Sequence, residues 1–179
     1  MVRNTYPQLR DTSLKTVLDW LPEHHFGKYN NDEHTYYITG INGCEIEIMF
    51  RALDNPRHVK NLLSLELTGA WVNEAREVHR VIIDGLQGRV GRFPAKKDGG
   101  ATWFGIFMDT NPPDSDSWWY RLFEENLPDN AEIFKQPSGL APNAENLSNL
   151  PDNYYTNLAL GKDDVRERVR AAMSAVGMA

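Results

Sequence analysis

The segment from Ala101 to Asp109 constrains the fold of this chain most, because it is an almost continuous apolar run. It reads ATWFGIFMD, and Asn111-Pro112-Pro113 ends it abruptly. A short apolar run bounded by turn residues is typical of a strand that is buried on both faces. Strands of this kind belong to parallel sheets that carry helices on both sides. We therefore expect residues 101–109 to form a strand of such a sheet.

Strand-like and helix-like segments alternate along the chain, which favours an α/β fold with mainly parallel pairing and flanking helices. Strands are predicted at residues 1–4, 36–38, 46–50, 65–72, 101–109 and 131–135. Helices are predicted at residues 11–21, 56–63, 78–86, 152–160 and 162–176. Another helix follows the cap Asp114-Ser115-Asp116 and carries Trp118 and Trp119 toward the core. Residues 23–35 predict a polar loop, and residues 136–153 predict an irregular connection.

The composition bounds the class of protein. The chain has 179 residues, of which 41% are hydrophobic, so one compact domain with a sizeable core is expected. The net charge of −6 argues against a dedicated nucleic-acid coat. No apolar run is long enough to span a membrane, and no secretory leader is recognisable. Cys44 is the single cysteine, and its place in an alternating segment predicts a buried strand thiol in a reducing cytoplasm.

Two predicted strands end in polar residues that suit nucleotide chemistry. The first ends at Val72-Asn73-Glu74 and the second at Met108-Asp109-Thr110-Asn111. Ligands gather at the carboxyl ends of strands in open α/β sheets. A strand that ends in a carboxylate is the pattern with which NTPases polarise an attacking water. Many α/β proteins end strands in this way, so the pattern alone leaves other α/β enzymes open.

Three longer segments carry a family resemblance. Residues 65–77, LELTGAWVNEARE, look like the Walker B region of tailed-phage large terminases, the ATPases that package DNA. Residues 85–94, GLQGRVGRFP, follow as in that family, and residues 105–114, GIFMDTNPPD, are similar to its coupling motif. The opening VRNTYPQL, with Thr12 and Trp20, resembles the strand and helix that follow the family's phosphate-binding loop. The resemblance covers roughly residues 1–160.

The resemblance implies roles for individual residues. Glu74 would be the catalytic carboxylate that orients water, and Asn73 stands where the family usually has the Mg²⁺-binding aspartate, so it would act on the metal through a water. Thr110 and Asn111 would be the coupling residues. The candidates for an arginine finger are Arg89, Arg92 and Arg57.

The resemblance also implies what a complete enzyme would contain. The family's phosphate-binding loop, G-x-x-x-x-G-K-S/T, occurs nowhere in the 179 residues. We therefore expect residues 1–136 to be an incomplete, P-loop NTPase-like ATPase core, and residues 137–179 to be a connection with helices that lacks the family's nuclease domain. The complete enzyme would use ATP and Mg²⁺, act on double-stranded DNA with the portal and the small terminase subunit, and form a homo-oligomeric ring in the host bacterial cytoplasm.

Two alternatives remain at this stage. The chain alone, without a phosphate-binding loop, is expected to lack ATPase activity, and it would then be a non-catalytic prophage remnant or an interaction module that binds terminase or portal partners. It would otherwise be an unrelated α/β enzyme that uses Glu74 and Asp109 as acid and base.

Overall fold

The computed structural model describes residues 1–160, which fall into two compact units. The first unit comprises Met1–Pro113 with Ser117–Trp119, and the second comprises Asp114–Asp116 and the residues from Tyr120 onward. No helix in the described part of the chain is long and apolar enough to cross a bilayer. The helix predicted at residues 162–176 lies outside the described residues.

A four-stranded parallel sheet forms the centre of the first unit. Its strands are β1 (Val2–Arg3), β5 (Arg51–Ala52), β6 (Gly69–Asn73) and β7 (Gly105–Asp109), in the order β5-β1-β6-β7. All three pairings are parallel, as the sequence predicts. β6 and β7 pair without offset, from Gly69 opposite Gly105 to Asn73 opposite Asp109. The two strands therefore end side by side.

The helices of the first unit are short. α1 (Tyr6–Gln8) continues through a π-helical segment, Leu9–Leu14, into α2 (Lys15–Trp20), and α3 (Glu23–Phe26) follows. α4 (Val59–Leu62) comes after a 3₁₀ turn, Pro56–His58, and α5 (Arg80–Gln87) comes after another, Ala75–Glu77. α5 is amphipathic: Ile82, Ile83 and Leu86 are buried, whereas Val81 is exposed. The helices predicted at 56–63 and 78–86 are thus confirmed within the usual uncertainty of helix ends.

One core lies between the parallel sheet and α4 and α5. Val72, Ile82 and Leu86 are almost completely buried there, and partly buried apolar side chains pack against them, namely Ala70, Ile106, Met108, Trp118 and Trp119. Each fully buried aliphatic side chain contributes about 1.5–3 kcal/mol relative to an exposed one. This core fixes the positions of β6 and β7, and so of the residues at their ends.

A separate antiparallel sheet contains β2 (Gly27–Asn30), β3 (Thr35–Ile41) and β4 (Cys44–Met49), in the order β2-β3-β4. The side chain of Tyr36, on β3, is completely buried in a second core together with Leu9, Ile38 and Phe50. Its hydroxyl donates a hydrogen bond of 2.7 Å to the Leu21 carbonyl. The hairpin predicted from residues 36–38 and 46–50 is confirmed.

Four predictions of local structure are wrong. Residues 23–35 are not a loop, because α3 and β2 lie there; β2 forms by pairing with β3, a tertiary contact that overrides its polar composition. The first helix begins at Tyr6, where Thr5 and Gln8 make a capping box, and not at Asp11. Residues 131–135 are irregular. Cys44 is exposed, because it opens β4 directly after a turn.

The apolar run at 101–109 also differs from its prediction. Only Gly105–Asp109 is a strand, and it lies at an edge of the sheet. Ile106 and Met108 pack on the core, whereas Phe107 is 65% exposed on the opposite face. Within the described residues the strand therefore packs on the core through one face, and Phe107 leaves the other face largely exposed.

In the second unit the regular elements are few. A helical stretch consists of α6 (Trp118–Tyr120) and a π-helical segment, Arg121–Glu125. Only its residues from Tyr120 onward belong to this unit. The stretch confirms the helix predicted after the cap at residues 114–116. A 3₁₀ turn, Leu147–Asn149, and α7 (Tyr154–Ala159) follow. Between them the backbone is largely irregular, which confirms the connection predicted at 136–153.

Candidate functional site at the ends of β6 and β7

The polar residues that the sequence singles out at two strand ends come together in the structure. Asn73 and Asp109 are the last residues of β6 and β7 and are directly opposite one another. Glu74 follows the first strand, and Thr110 and Asn111 follow the second. The site is therefore built from two adjacent strand ends, at the position where parallel sheets collect ligands.

Glu74 has an unusual backbone conformation. Its φ and ψ are both 52°, in the left-handed region that few residues other than glycine adopt. The next residue, Ala75, is completely buried in the core and begins a 3₁₀ turn. This buried turn holds the left-handed residue in place. Left-handed residues of this kind cost of order 1 kcal/mol and are found preferentially at functional sites.

The Glu74 carboxylate is held from the neighbouring strand. The Asn111 side-chain amide donates to Glu74 Oε1 at 3.2 Å and to Oε2 at 3.5 Å. Arg76, on the turn after Glu74, donates from Nη1 to the Pro112 carbonyl at 3.1 Å. Two contacts therefore join the turn after β6 to the loop after β7.

Asn73 lies at the centre of a hydrogen-bond network. Its Oδ1 accepts a short hydrogen bond from Arg3 Nη1 and another, of 3.1 Å, from the hydroxyl of the buried Ser13. Its Nδ2 donates to Asp109 Oδ2 at 2.7 Å. The other oxygen of Asp109 accepts from the Trp71 indole nitrogen at 2.5 Å. The network joins β1, β6 and β7.

Thr110 has a buried hydroxyl oxygen without a hydrogen-bond partner in the described residues. Its neighbour Asn111 is exposed apart from the contact with Glu74. The coupling roles of both residues stay predictions.

Two of the three candidate arginines lie away from Glu74. Arg89 and Arg92 lie beside the amino end of β6, because Leu67 donates to the Arg89 carbonyl and accepts from Arg92 N–H. The length of β6 separates them from Glu74, about 3.3 Å per residue. Arg57 is exposed, on the turn that follows the carboxyl end of β5. A role for any of them toward a neighbouring subunit stays a prediction.

Sequence reasoning missed four residues of the site: Arg3, Ser13, Trp71 and Arg76. Trp71 is two residues before Asn73 on β6, so the alternation of strand side chains places both on one face and offered a signal for it. Arg3 reaches the site from β1, Ser13 from the π-helical segment after α1, and Arg76 through its contact with the loop after β7. No local pattern in the sequence identifies such contacts.

Of Glu74 and Asn73, Glu74 keeps the greater acceptor capacity for a cation such as Mg²⁺. Magnesium at ATPase sites is held by one or two carboxylates together with phosphate oxygens and waters. Among residues 1–160 no cluster of three or more His, Cys, Asp or Glu side chains is suited to a metal. The half-buried Glu74 carboxylate keeps acceptor capacity beyond its contact with Asn111. The Asn73 oxygen instead faces the Arg3 cation, which a metal ion would have to displace.

An open depression of about 360 Å³ lies on the antiparallel sheet, lined by Lys28, Tyr29, Asn30, Asn31 and Tyr37. None of the residues at the ends of β6 and β7 lines it. We therefore assign it no part in the site.

Comparison with known proteins supports the family resemblance and the fold. The model of the phage terminase large subunit family matches residues 1–167. Two crystal structures of the large terminase from a thermophilic bacteriophage are similar in fold, each with 15% sequence identity over 71% of this chain. Their TM-scores are 0.56 and, for the complex with ADP, 0.54. No curated protein matches the chain.

The chain therefore belongs to the phage terminase large subunit family. Its fold is that of the solved terminases, a parallel α/β sheet with flanking helices. It spans about 30% of the length of these solved proteins.

Proposed function

We propose that this chain is part of the ATPase region of a terminase large subunit whose complete form hydrolyses ATP to move double-stranded DNA into a capsid. The observation that carries the proposal is the contact between Glu74 and Asn111 across the ends of β6 and β7. It joins the expected catalytic carboxylate to an expected coupling residue. The complex of a similar terminase with ADP supports a nucleotide as the ligand.

The proposed chemistry centres on Glu74. Its carboxylate, oriented by Asn111, accepts a hydrogen bond from a water and directs that water toward a phosphoryl group. Bound Mg²⁺ would neutralise charge on the phosphate oxygens. Loss of the phosphoryl group would be transmitted to the β7 loop, because Thr110 and Asn111 lie there and Arg76 holds the same loop at Pro112. The arginine finger would come from Arg89, Arg92 or Arg57 of a neighbouring subunit.

The wider assembly belongs to the same proposal. Its partners would be double-stranded DNA, the portal and the small terminase subunit, and the complete enzyme would act as a homo-oligomeric ring in the host cytoplasm. Residues 1–136 would be the ATPase portion. Residues 137–179 would connect the ATPase portion to the rest of the complete enzyme.

The test measures Mg-ATP binding by calorimetry and ATP hydrolysis for this chain and for the form extended upstream along its natural reading frame. We expect hydrolysis by the extended form only, since the phosphate-binding loop is not in these 179 residues. Glu74→Gln should lower kcat of that form about 100-fold or more, because it removes the base but keeps the shape.

The matched control is Glu77→Gln, three residues away and exposed. It should leave kcat unchanged. If neither form binds or hydrolyses ATP, the proposal fails and a non-catalytic role in binding terminase or portal partners replaces it. Micromolar binding by the short chain would instead show that some other segment of it holds the phosphates.

A further inference from the structure

We propose that Asn73 is a positioning residue and that Asp109 carries the second carboxylate of this site. In this arrangement Arg3, the amide at the end of β6 and the carboxylate at the end of β7 form one hydrogen-bonded group. The part that this group plays in hydrolysis rests on the function proposed above. The arrangement itself rests on the contacts alone.

The contacts between the two strand ends are crossed. Asp109, at the end of β7, accepts from the amide of Asn73 on β6. Glu74, after β6, accepts from the amide of Asn111 after β7. Each strand end thus contributes one carboxylate and one amide, and each carboxylate is held by the amide of the other strand. The two carboxylates have fixed places relative to each other.

The surroundings of residue 73 require a neutral side chain. Its oxygen faces two donors, Arg3 and Ser13, so the amide nitrogen must face Asp109. An aspartate at this position would still accept from the two donors. Its second oxygen would stand about as close to Asp109 Oδ2 as the nitrogen does now, 2.7 Å. Two carboxylates at that distance repel unless they share a proton.

Asp109 is held through both of its carboxylate oxygens. Each of its oxygens accepts one hydrogen bond, from Trp71 at 2.5 Å and from Asn73 at 2.7 Å. The residue is nevertheless exposed, so both oxygens keep acceptor capacity toward solvent. An exposed carboxylate fixed by two donors is oriented before anything binds. Arg3 supports it through Asn73, since the guanidinium polarises the amide that donates to Asp109.

The test exchanges the two side chains. The variants Asn73→Asp, Asp109→Asn and the double exchange Asn73→Asp/Asp109→Asn are made in the full chain, and thermal unfolding is measured at pH 7. We expect Asn73→Asp to lower Tm by about 3–6 °C, an effect typical of one unfavourable contact between like charges in a domain of this size. The double exchange should return Tm to within about 2 °C of the natural sequence, because the new carboxylate at the end of β6 then pairs with Arg3 and accepts from the new amide at the end of β7.

The indole N–H signal of Trp71 in NMR spectra gives a second readout, since that proton reports the position of residue 109 directly. Loss of a peak in Trp71→Phe identifies the signal among the five tryptophans. We expect it to move in Asn73→Asp and to return in the double exchange. General loosening of the fold would not be reversed by adding a second substitution.

Asn31→Asp is the control, because it makes the same change at an exposed turn. The proposal is overturned if Asn73→Asp is no less stable than this control, or if the double exchange is no more stable than Asn73→Asp. Neither result depends on ATP. The proposed ATPase function can therefore fail while this assignment stands, and this assignment can fail while the ATPase function stands. In an active extended form, the double exchange should restore kcat that Asn73→Asp lowers.

Discussion

The two faces of the parallel sheet differ although the same strands build them. On one face Ala70, Val72 and Ile106 pack against α4 and α5, and Val72 is completely buried. On the other face, Trp71 is 37% exposed and its cross-strand partner Phe107 is 65% exposed. Both sets are apolar, and they lie on opposite faces because successive residues of a strand alternate between faces. An apolar strand can therefore be buried on both faces, but the neighbouring elements determine which of its faces is actually buried.

Trp103 modifies the exposed face. Its ring lies over the paired glycines of β6 and β7, since a Cβ on Gly69 or Gly105 would come within 2.8 or 2.9 Å of ring atoms. The ring also stacks on Phe107, with centroids 5.0 Å apart. A loop residue therefore covers part of this face where no helix of the described residues does.

The largest effect is expected on the covered face. Leu86→Ala should lower the free energy of unfolding by about 2–5 kcal/mol, because it removes a buried side chain of α5 and leaves a cavity. Urea unfolding followed by circular dichroism measures it. Val81→Ala, on the exposed side of the same helix, is the control and should cost under about 1 kcal/mol. Equal losses in the two variants would mean that α5 does not pack on the sheet through Leu86.

A smaller effect is expected where Trp103 meets the strands. Gly105→Ala should destabilise by about 1 kcal/mol, because the new Cβ displaces the ring. In a Trp103→Ala background the same change should stabilise by about 0.4–1 kcal/mol, since alanine restricts the unfolded chain more than glycine does. The reversal of sign, measured by urea unfolding, tests the contact. The same sign in both backgrounds would show that the ring lies elsewhere.

The smallest effect is expected on the exposed face itself. Phe107→Thr should change the free energy of unfolding by under about 1 kcal/mol, because the side chain is mostly exposed and threonine keeps β propensity. Ile106→Thr, the adjacent residue on the covered face, should cost more. A loss of about 3 kcal/mol for Phe107→Thr would contradict the comparison and mean that this face is covered in solution.

The sequence predicted the parallel sheet and the meeting of its strand ends because both depend on local patterns. Apolar runs ending in Asn73-Glu74 and Asp109-Thr110-Asn111 specify strands, and parallel pairing brings their ends to one edge. The network around Asn73 was not predictable in this way. It depends on Arg3 from β1 and Ser13 from the first helical stretch, residues that only the tertiary fold brings to β6.

The antiparallel sheet also depends on tertiary contacts that the local sequence does not show. Gly27 and Asn30 look like loop residues, yet they bound β2 because β3 offers it a hydrogen-bonding partner. The close approach even requires glycine at position 27, where a Cβ would collide with the Tyr37 carbonyl oxygen. Turn-like composition and strand pairing are thus compatible when a partner strand is present.

The left-handed conformation of Glu74 has a geometric consequence for how much chemistry one strand end can hold. In a regular strand, consecutive side chains point to opposite faces, so only every second residue reaches a given neighbour. The reversal of φ at Glu74 breaks that alternation for a single residue. Asn73 and Glu74, adjacent in sequence, therefore both reach side chains at the end of β7. Two consecutive residues thus contact the end of β7, where an uninterrupted strand would offer only one.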